Sequence, residues 1–164
     1  MSLVQFEETL EQAVHYGSQE IWLTPMLGEF FADPNWAEKL QYLDGHSNFD
    51  RYGFFTNFIL PSPTDLQTLV NLRKLGALHI SIYGHDRESF HKITQKGDAQ
   101  YQRLLVNLDA MTSLLSSTRT NMEIHVSIRS LGGMTIDDLP DSDVTTALRE
   151  LADISGASII VSQD

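Results

Sequence analysis

The sequence predicts an α/β fold, a partial parallel (β/α) barrel of the TIM type with about five strand–helix units. Three observations carry this. Segments with strand and helix periods alternate along the chain. Two strands are apolar on one face and polar on the other, whereas strands covered by helices on both sides read as continuous apolar runs. The 164 residues also fall short of the roughly 250 that a closed eight-stranded barrel takes.

Leu3, Phe6, Leu10, Ala13 and Val14 recur at helical spacing before Gly17, which predicts a first helix over residues 3–16. Glu20 to Thr24 follows as a strand. Asp33 is placed to cap the next helix, with Pro34 at its first position and Trp36, Ala37, Leu40 and Leu43 on one stripe before Gly45. Arg51 to Asn57 is the second strand. Thr64 and Gln67 have the spacing of a capping box, and Leu66, Leu69, Val70 and Leu75 form the stripe of a third helix stopped by Gly76. Ala77 to Tyr83 is the third strand. In the polar stretch after it, His85, Asp86 and His91 read as a solvated loop and helix start.

A long helix opens near Asp98, with Tyr101, Leu104, Leu105, Leu108, Met111 and Leu115 facing inward. Met122 to Ile128 is the fourth strand, and the segment around Gly132, Gly133 and Pro140 is a loop. Val144, Ala147, Leu148, Leu151 and Ala152 mark a helix that ends before Gly156, and Ala157 to Val161 is the last strand. Helices joining successive strands imply parallel pairing through right-handed crossovers.

The strand faces refine the fold class. Met122, Ile124, Val126 and Ile128 alternate with Glu123, His125, Ser127 and Arg129, and Leu78, Ile80 and Ile82 alternate with His79, Ser81 and Tyr83. Helices on one side and a polar, water-accessible interior on the other suit an open barrel better than a doubly wound sheet. Strands beside solvent at a sheet edge would show the same alternation. In a (β/α) barrel function collects at the strand C-terminal ends, which nominates Thr24 to Glu29, Thr56 and Asn57, Ser81 to His85, Arg129 and Ser162.

Composition narrows the chemistry. Eleven Lys and Arg against 22 Asp and Glu leave a formal charge of −11, which argues against a phosphate-tracking, nucleic-acid-binding surface. Mean hydropathy is −0.18, and neither a membrane-length apolar run nor a signal peptide is present, so the expected location is cytoplasmic. There are no cysteines, which removes disulfides, thiolate nucleophiles and thiolate-held metal from this chain. No Gly-x-Gly-x-x-Gly, phosphate-loop or Gly-x-Ser-x-Gly pattern occurs.

The run from Ile21 to Pro34, Ile-Trp-Leu-Thr-Pro-Met-Leu-Gly-Glu-Phe-Phe-Ala-Asp-Pro, resembles the Gly-Gly-Glu-Pro segment that closes a strand in radical S-adenosylmethionine (SAM) enzymes. Thr56-Asn57 at the next strand end resembles the family's Thr-Asn-Gly. Ile80 to Ile93 is similar to its Ile-Ser-Ile-Asp-Gly strand end and following helix, and Gly97 to Leu108 to the helix after that. Order, spacing and strand-end placement agree over nearly the whole chain.

The resemblance implies a 4Fe-4S cluster, held in that family by a Cys-x-x-x-Cys-x-x-Cys loop, which reduces SAM to a 5′-deoxyadenosyl radical for hydrogen abstraction. This chain carries no such loop. The expectation is therefore a single incomplete domain over residues 1–164, truncated at both ends, inactive alone and binding neither cofactor by itself. The alternative is a natural relative that lost its cluster. Gly28 and Glu29 stand where the family's glycine-rich backbone meets the methionyl amino group, although Leu27 replaces the first glycine and Phe30 the proline. Thr56 and Asn57 match, with Phe58 in place of glycine. Ser81 stands where a polar side chain meets the ribose or carboxylate, and Arg129 is placed to pair with the SAM carboxylate. Each has a plainer reading: Ser81 satisfies a strand neighbour, and Arg129 neutralises Glu123.

The resemblance names no catalytic residue, and the substrate, a peptide or protein among the options, is unknown. Two other functions fit the residues. His79, His125 and Glu123 on one polar face could hold a metal in a hydrolase or lyase barrel, and a non-catalytic domain could use the same face to bind a ligand or partner. A missing first strand would leave the Glu20–Thr24 edge unpaired, which predicts self-association.

Overall fold

The computed structural model describes residues 1–25, 28–130 and 135–163. The expected loop at Gly132 and Gly133, the substitution at Leu27 and the terminal Asp164 lie outside them. The chain runs α1 (Leu3–His15), β1 (Glu20–Leu23), a 3-10 turn (Phe30–Ala32), α2 (Trp36–Gly45), β2 (Arg51–Thr56), α3 (Pro63–Val70), β3 (Leu75–Tyr83), α4 (Arg87–Thr94), α5 (Asp98–Ser117), β4 (Glu123–Ser130), a second 3-10 turn (Ile136–Asp138), α6 (Asp143–Ser155) and β5 (Ser158–Gln163).

All strand pairs are parallel and the sheet order is β1-β2-β3-β4-β5, each strand beside its sequence neighbour. Crossovers of one hand between successive neighbours carry every connecting helix to the same side of the sheet. A doubly wound sheet would instead reverse its order at a switch point. The fold is thus the expected open, partial-barrel α/β arrangement.

Burial follows from this one-sided cover. Phe54, Leu78, Ile80, Ile82, Ile124, Val126 and Ile128 point to the helices and are buried with Leu40, Leu66, Leu69, Leu104, Leu108, Leu148 and Leu151 in one core cluster. Each such side chain contributes about 1.5–3 kcal/mol over its exposed state. On the other face Phe55, His79, Ser81, Tyr83, His125 and Ser127 are half-buried, and Glu123 and Arg129 are exposed.

Several local expectations are corrected. The third helix is capped by Ser62, which forms the reciprocal box with Asp65 and is followed by Pro63, so Thr64 and Gln67 do not cap it. That helix ends at Val70, and Leu75 and Gly76 belong to β3. Chain reversal within four residues requires the helix to stop before the sequence reaches glycine. Asp33 does not cap α2, whose N-cap is Asn35. Its carboxylate accepts the Asn35 N–H (2.9 Å) and pairs with Lys39. The helix start read at Asp86 is present as α4, capped by Asp86 in a reciprocal box with Ser89.

Two glycines let side chains cross the polar face. A Cβ at Gly53 would lie 2.5 Å from the Trp22 ring and 2.8 Å from the Ala77 carbonyl oxygen. At Gly76 it would strike the Arg51 side chain, which runs over β3 to pair with Glu123 on β4 at 3.0 Å. Gly53→Ala should lower stability by about 1–3 kcal/mol, measured as a reduced urea midpoint with unchanged slope.

Candidate functional site

The polar face is closed at one end and open at the other. Toward the strand N-termini Trp22 lies over Gly53, and Arg51 crosses to Glu123. In the next layer the Phe55 and His79 rings stack with centroids 4.4 Å apart, and the His79 and His125 rings stack at 4.7 Å. Trp22 meets His79 edge-on at 5.3 Å. These rings and the ion pair fill the bottom of the half-barrel, as side-chain layers fill a complete one. Toward the C-terminal ends the register instead aligns Ser81 with Ser127, and Tyr83 with Arg129 and Ser162.

The two strand-end motifs, 27 residues apart in sequence, meet in space. The Thr56 hydroxyl donates to Glu29 Oε1, and the Asn57 N–H donates to Glu29 Oε2 at 3.0 Å. Thr56 Oγ1 in turn accepts the Phe58 N–H at 2.9 Å. Phe58 has φ +62°, the conformation glycine adopts most readily. Its backbone therefore takes a turn open chiefly to glycine, and the fully buried ring anchors it. The buried Asn107 of α5 adds hydrogen bonds to the Phe58 and Ile59 carbonyls at 2.9 and 3.2 Å.

Gly28 has φ +92° with nothing within 4 Å of a built Cβ. The fold uses glycine there for its positive φ, and the open space beside it leaves the backbone approachable. Glu29 and Thr56 are engaged with each other. Asn57 Oδ1 accepts the Ile59 N–H at 3.1 Å. Ser81 is half-buried and makes no side-chain hydrogen bond among the described residues. Arg129 does not neutralise Glu123, which pairs with Arg51 and His125. Its guanidinium lies 5.2 Å from the Tyr83 ring centre. Gly28, Glu29, Thr56 and Asn57 thus form one cluster, while Ser81 and Arg129 sit on neighbouring strands. The sequence places Ser127 on the polar face but not among the nominated site residues, although its i−2 spacing from Arg129 puts it beside them.

The imidazoles do not form a metal centre. Their ring planes lie within 23° of parallel, so their in-plane lone pairs do not converge. His125 also bonds through both nitrogens, to Ser158 Oγ at 2.7 Å and Glu123 Oε2 at 3.3 Å. No group of three His, Cys, Asp or Glu able to hold a metal ion exists among the described residues. His85 Nδ1 lies 2.9 Å from Ser130 Oγ and its Nε2 lies 3.4 Å from Asp86 Oδ2. Ser130 is fully buried, so this trio ties strand end to loop and presents no nucleophile.

Burial, reinforced by the positive fields of His125 and Arg51, lowers the His79 pKa below its ordinary value. Hydrogen bonding to Arg51 lowers that of Glu123. Burial opposes ionisation of Asp33, but its bonds to Lys39 and the Asn35 N–H outweigh that and hold it below the usual carboxylate range.

No protein-family model matches the chain, and no curated protein matches it in sequence. Among solved structures it is similar to one described as TYW1 with a lysine-pyruvate adduct bound, with 16% identity and a TM-score of 0.57, over 96% of this chain and 45% of that one. The radical SAM family is implied by the resemblance in sequence alone. The chain spans less than half the length of this neighbour, and the likeness establishes architecture alone. Among the described residues, no helix is long and apolar enough to cross a membrane. The cluster of that family does not fit this chain, because 164 residues with no cysteine offer no thiolate to iron.

Glu29→Ala removes the acceptor of the buried Thr56 hydroxyl and the Asn57 N–H. It should lower stability by about 1–3 kcal/mol and speed amide exchange at Asn57 and Phe58, with Glu29→Gln intermediate. The His79 shift sets a pH dependence. Below about pH 6.5 the unfolded chain takes up a proton that folded His79 resists, so its stability contribution is intact above that pH and lost as pH falls. The urea midpoint should drop between about pH 7.5 and 5.5, less steeply in His79→Phe.

Proposed function

We propose that this chain is part of the core of a radical SAM iron–sulfur oxidoreductase, supplying strand ends that face SAM while cysteines outside these 164 residues hold the cluster. Held by such cysteines, the cluster would supply the electron for reductive SAM cleavage, and the fold does not specify the substrate. The reading rests on Glu29 meeting Thr56 and Asn57 at adjoining strand ends. The two motifs that carry the family resemblance thereby become one structure.

On this reading the open backbone at Gly28 receives the methionyl amino group. Arg129, backed by the Tyr83 ring, takes the SAM carboxylate by a charge-assisted fork, with the Ser81 hydroxyl beside it. Glu29, fastened to Thr56 and Asn57, holds the Gly28 turn and offers its own backbone to the same group. The rings below exclude water from the floor of the face. Without thiolates the chain by itself retains no iron and performs no turnover.

After anaerobic incubation with iron and sulfide, the 164-residue chain should retain no iron and yield no 5′-deoxyadenosine. Equilibrium dialysis should give a Kd for SAM near 1 mM or weaker, with Arg129→Ala abolishing the residual binding. A Kd of about 1 µM or tighter overturns the reading. So does a protein containing this chain together with its native flanking sequence that neither binds iron nor cleaves SAM, which would assign the face to a non-catalytic binding domain.

A further inference from the structure

We infer that the stack of Phe55, His79 and His125 is an acid-operated latch: protonation of both imidazoles drives the His79 ring off its neighbours and opens the floor of the polar face, while the helix-side core stays folded. This goes beyond the cofactor reading and stands on the floor residues alone. In the register His79 lies between Phe55 and His125. Both faces of its ring are covered, by Phe55 at 4.4 Å and 25° and by His125 at 4.7 Å and 23°. Trp22 closes the edge at 5.3 Å.

The two imidazoles are held differently. A carboxylate only accepts, so His125 Nε2 donates to Glu123 Oε2 at 3.3 Å, which leaves Nδ1 to accept from the Ser158 hydroxyl at 2.7 Å. A second proton on His125 keeps both partners, because the hydroxyl turns from donor to acceptor. His125 therefore stays in place in either charge state. His79 makes no side-chain hydrogen bond among the described residues and is kept in the stack by ring contact. Its backbone lies between two paired strands, and Leu78 and Ile80 beside it are fully buried on the helix side. The side chain can leave; the strand cannot.

Charge sets the moment of release. Among the described residues, His79 faces Arg51 from β2, Glu123 and His125 from β4, and the uncharged Trp22, Phe55 and Ser158. Glu20 of β1 stands opposite Arg51 two layers below, and Arg129 stands two layers above. Glu123, the carboxylate in reach, already pairs with Arg51 at 3.0 Å and with His125. A proton on His79 then sets two imidazolium rings 4.7 Å apart, beside a guanidinium and without a carboxylate of its own. Burial and the fields of His125 and Arg51 already disfavour that charge. Rotation of the ring into water relieves both costs. Ser81 and Ser127, paired in the layer above, are short enough to let it swing. The dry ring floor therefore exists only above the transition.

Proton NMR of the 164-residue chain tests this. At about pH 7.5 the His79 Hε1 resonance should lie upfield, shielded by the rings on both faces, and by about pH 5 it should reach the position of a solvated imidazolium. In a Trp36→Phe background, which leaves Trp22 as the sole tryptophan, emission should shift to longer wavelength over the same range with far-ultraviolet circular dichroism unchanged. His125→Phe keeps a ring in the stack and removes its charge, and a phenyl face attracts a cation. There His79 should titrate about one pH unit higher and stay shielded, and Trp22 emission should hold. A His79 resonance that remains shielded down to about pH 5 in the unsubstituted chain overturns the latch. So does an emission change that survives His125→Phe, or one accompanied by loss of helical signal, which is global unfolding.

Discussion

The structure depends on one topological constraint: every strand pairs in parallel with its sequence neighbour. Right-handed crossovers between neighbours place each helix on the same side, so one sheet face is sealed by apolar packing and the other must be satisfied by polar groups and water. The alternation along β3 and β4 is the sequence-level form of that constraint. The interior ion pair of Arg51 with Glu123, the stacked rings and the hydroxyl rows are its consequences.

Within the polar face, a vertical division follows from side-chain size. Toward the strand N-termini Gly53 and Gly76 lower the floor enough for Trp22 and Arg51 to lie across it, and the Phe55, His79 and His125 rings cover the next layer. Toward the C-termini lie the short Ser81 and Ser127 and the long, cationic Arg129 resting on the Tyr83 ring. Planar groups plug the bottom, and hydrogen-bonding capacity remains at the top. This is the end at which (β/α) barrels place their chemistry.

The strand-end network shows how a residue with a side chain can hold a turn that favours glycine. Phe58 occupies a left-handed turn without being glycine, because its N–H donates to Thr56, its carbonyl accepts from Asn107 and its ring is buried in the core. Such a turn costs about 1–2 kcal/mol for a residue with a Cβ, and burying the ring offsets it. Glu29 performs the complementary task by fastening the loop after β1 to the end of β2. The absence of cysteine separates architecture from chemistry: the open parallel sheet and its strand-end network stand in residues that offer no thiolate to a metal.

The sequence alone determined the α/β class, the parallel connections, the one-sided burial of β3 and β4 and the positions of the long helices, because each is written in local periodicity. It also identified Gly28, Glu29, Thr56, Asn57, Ser81 and Arg129 as strand-end residues. Tertiary structure decided what those residues do to one another. Glu29 finding Thr56, Asp33 finding Lys39 instead of capping α2, and Arg129 resting on Tyr83 instead of pairing with Glu123 are contacts across elements that no periodicity encodes. Helix α3 begins at Ser62 because a reciprocal box with Asp65 behind Pro63 outcompetes the similar spacing at Thr64. Whether His79 and His125 ligate or stack is set by ring orientation across two strands, a property of packing that residue type and spacing leave open.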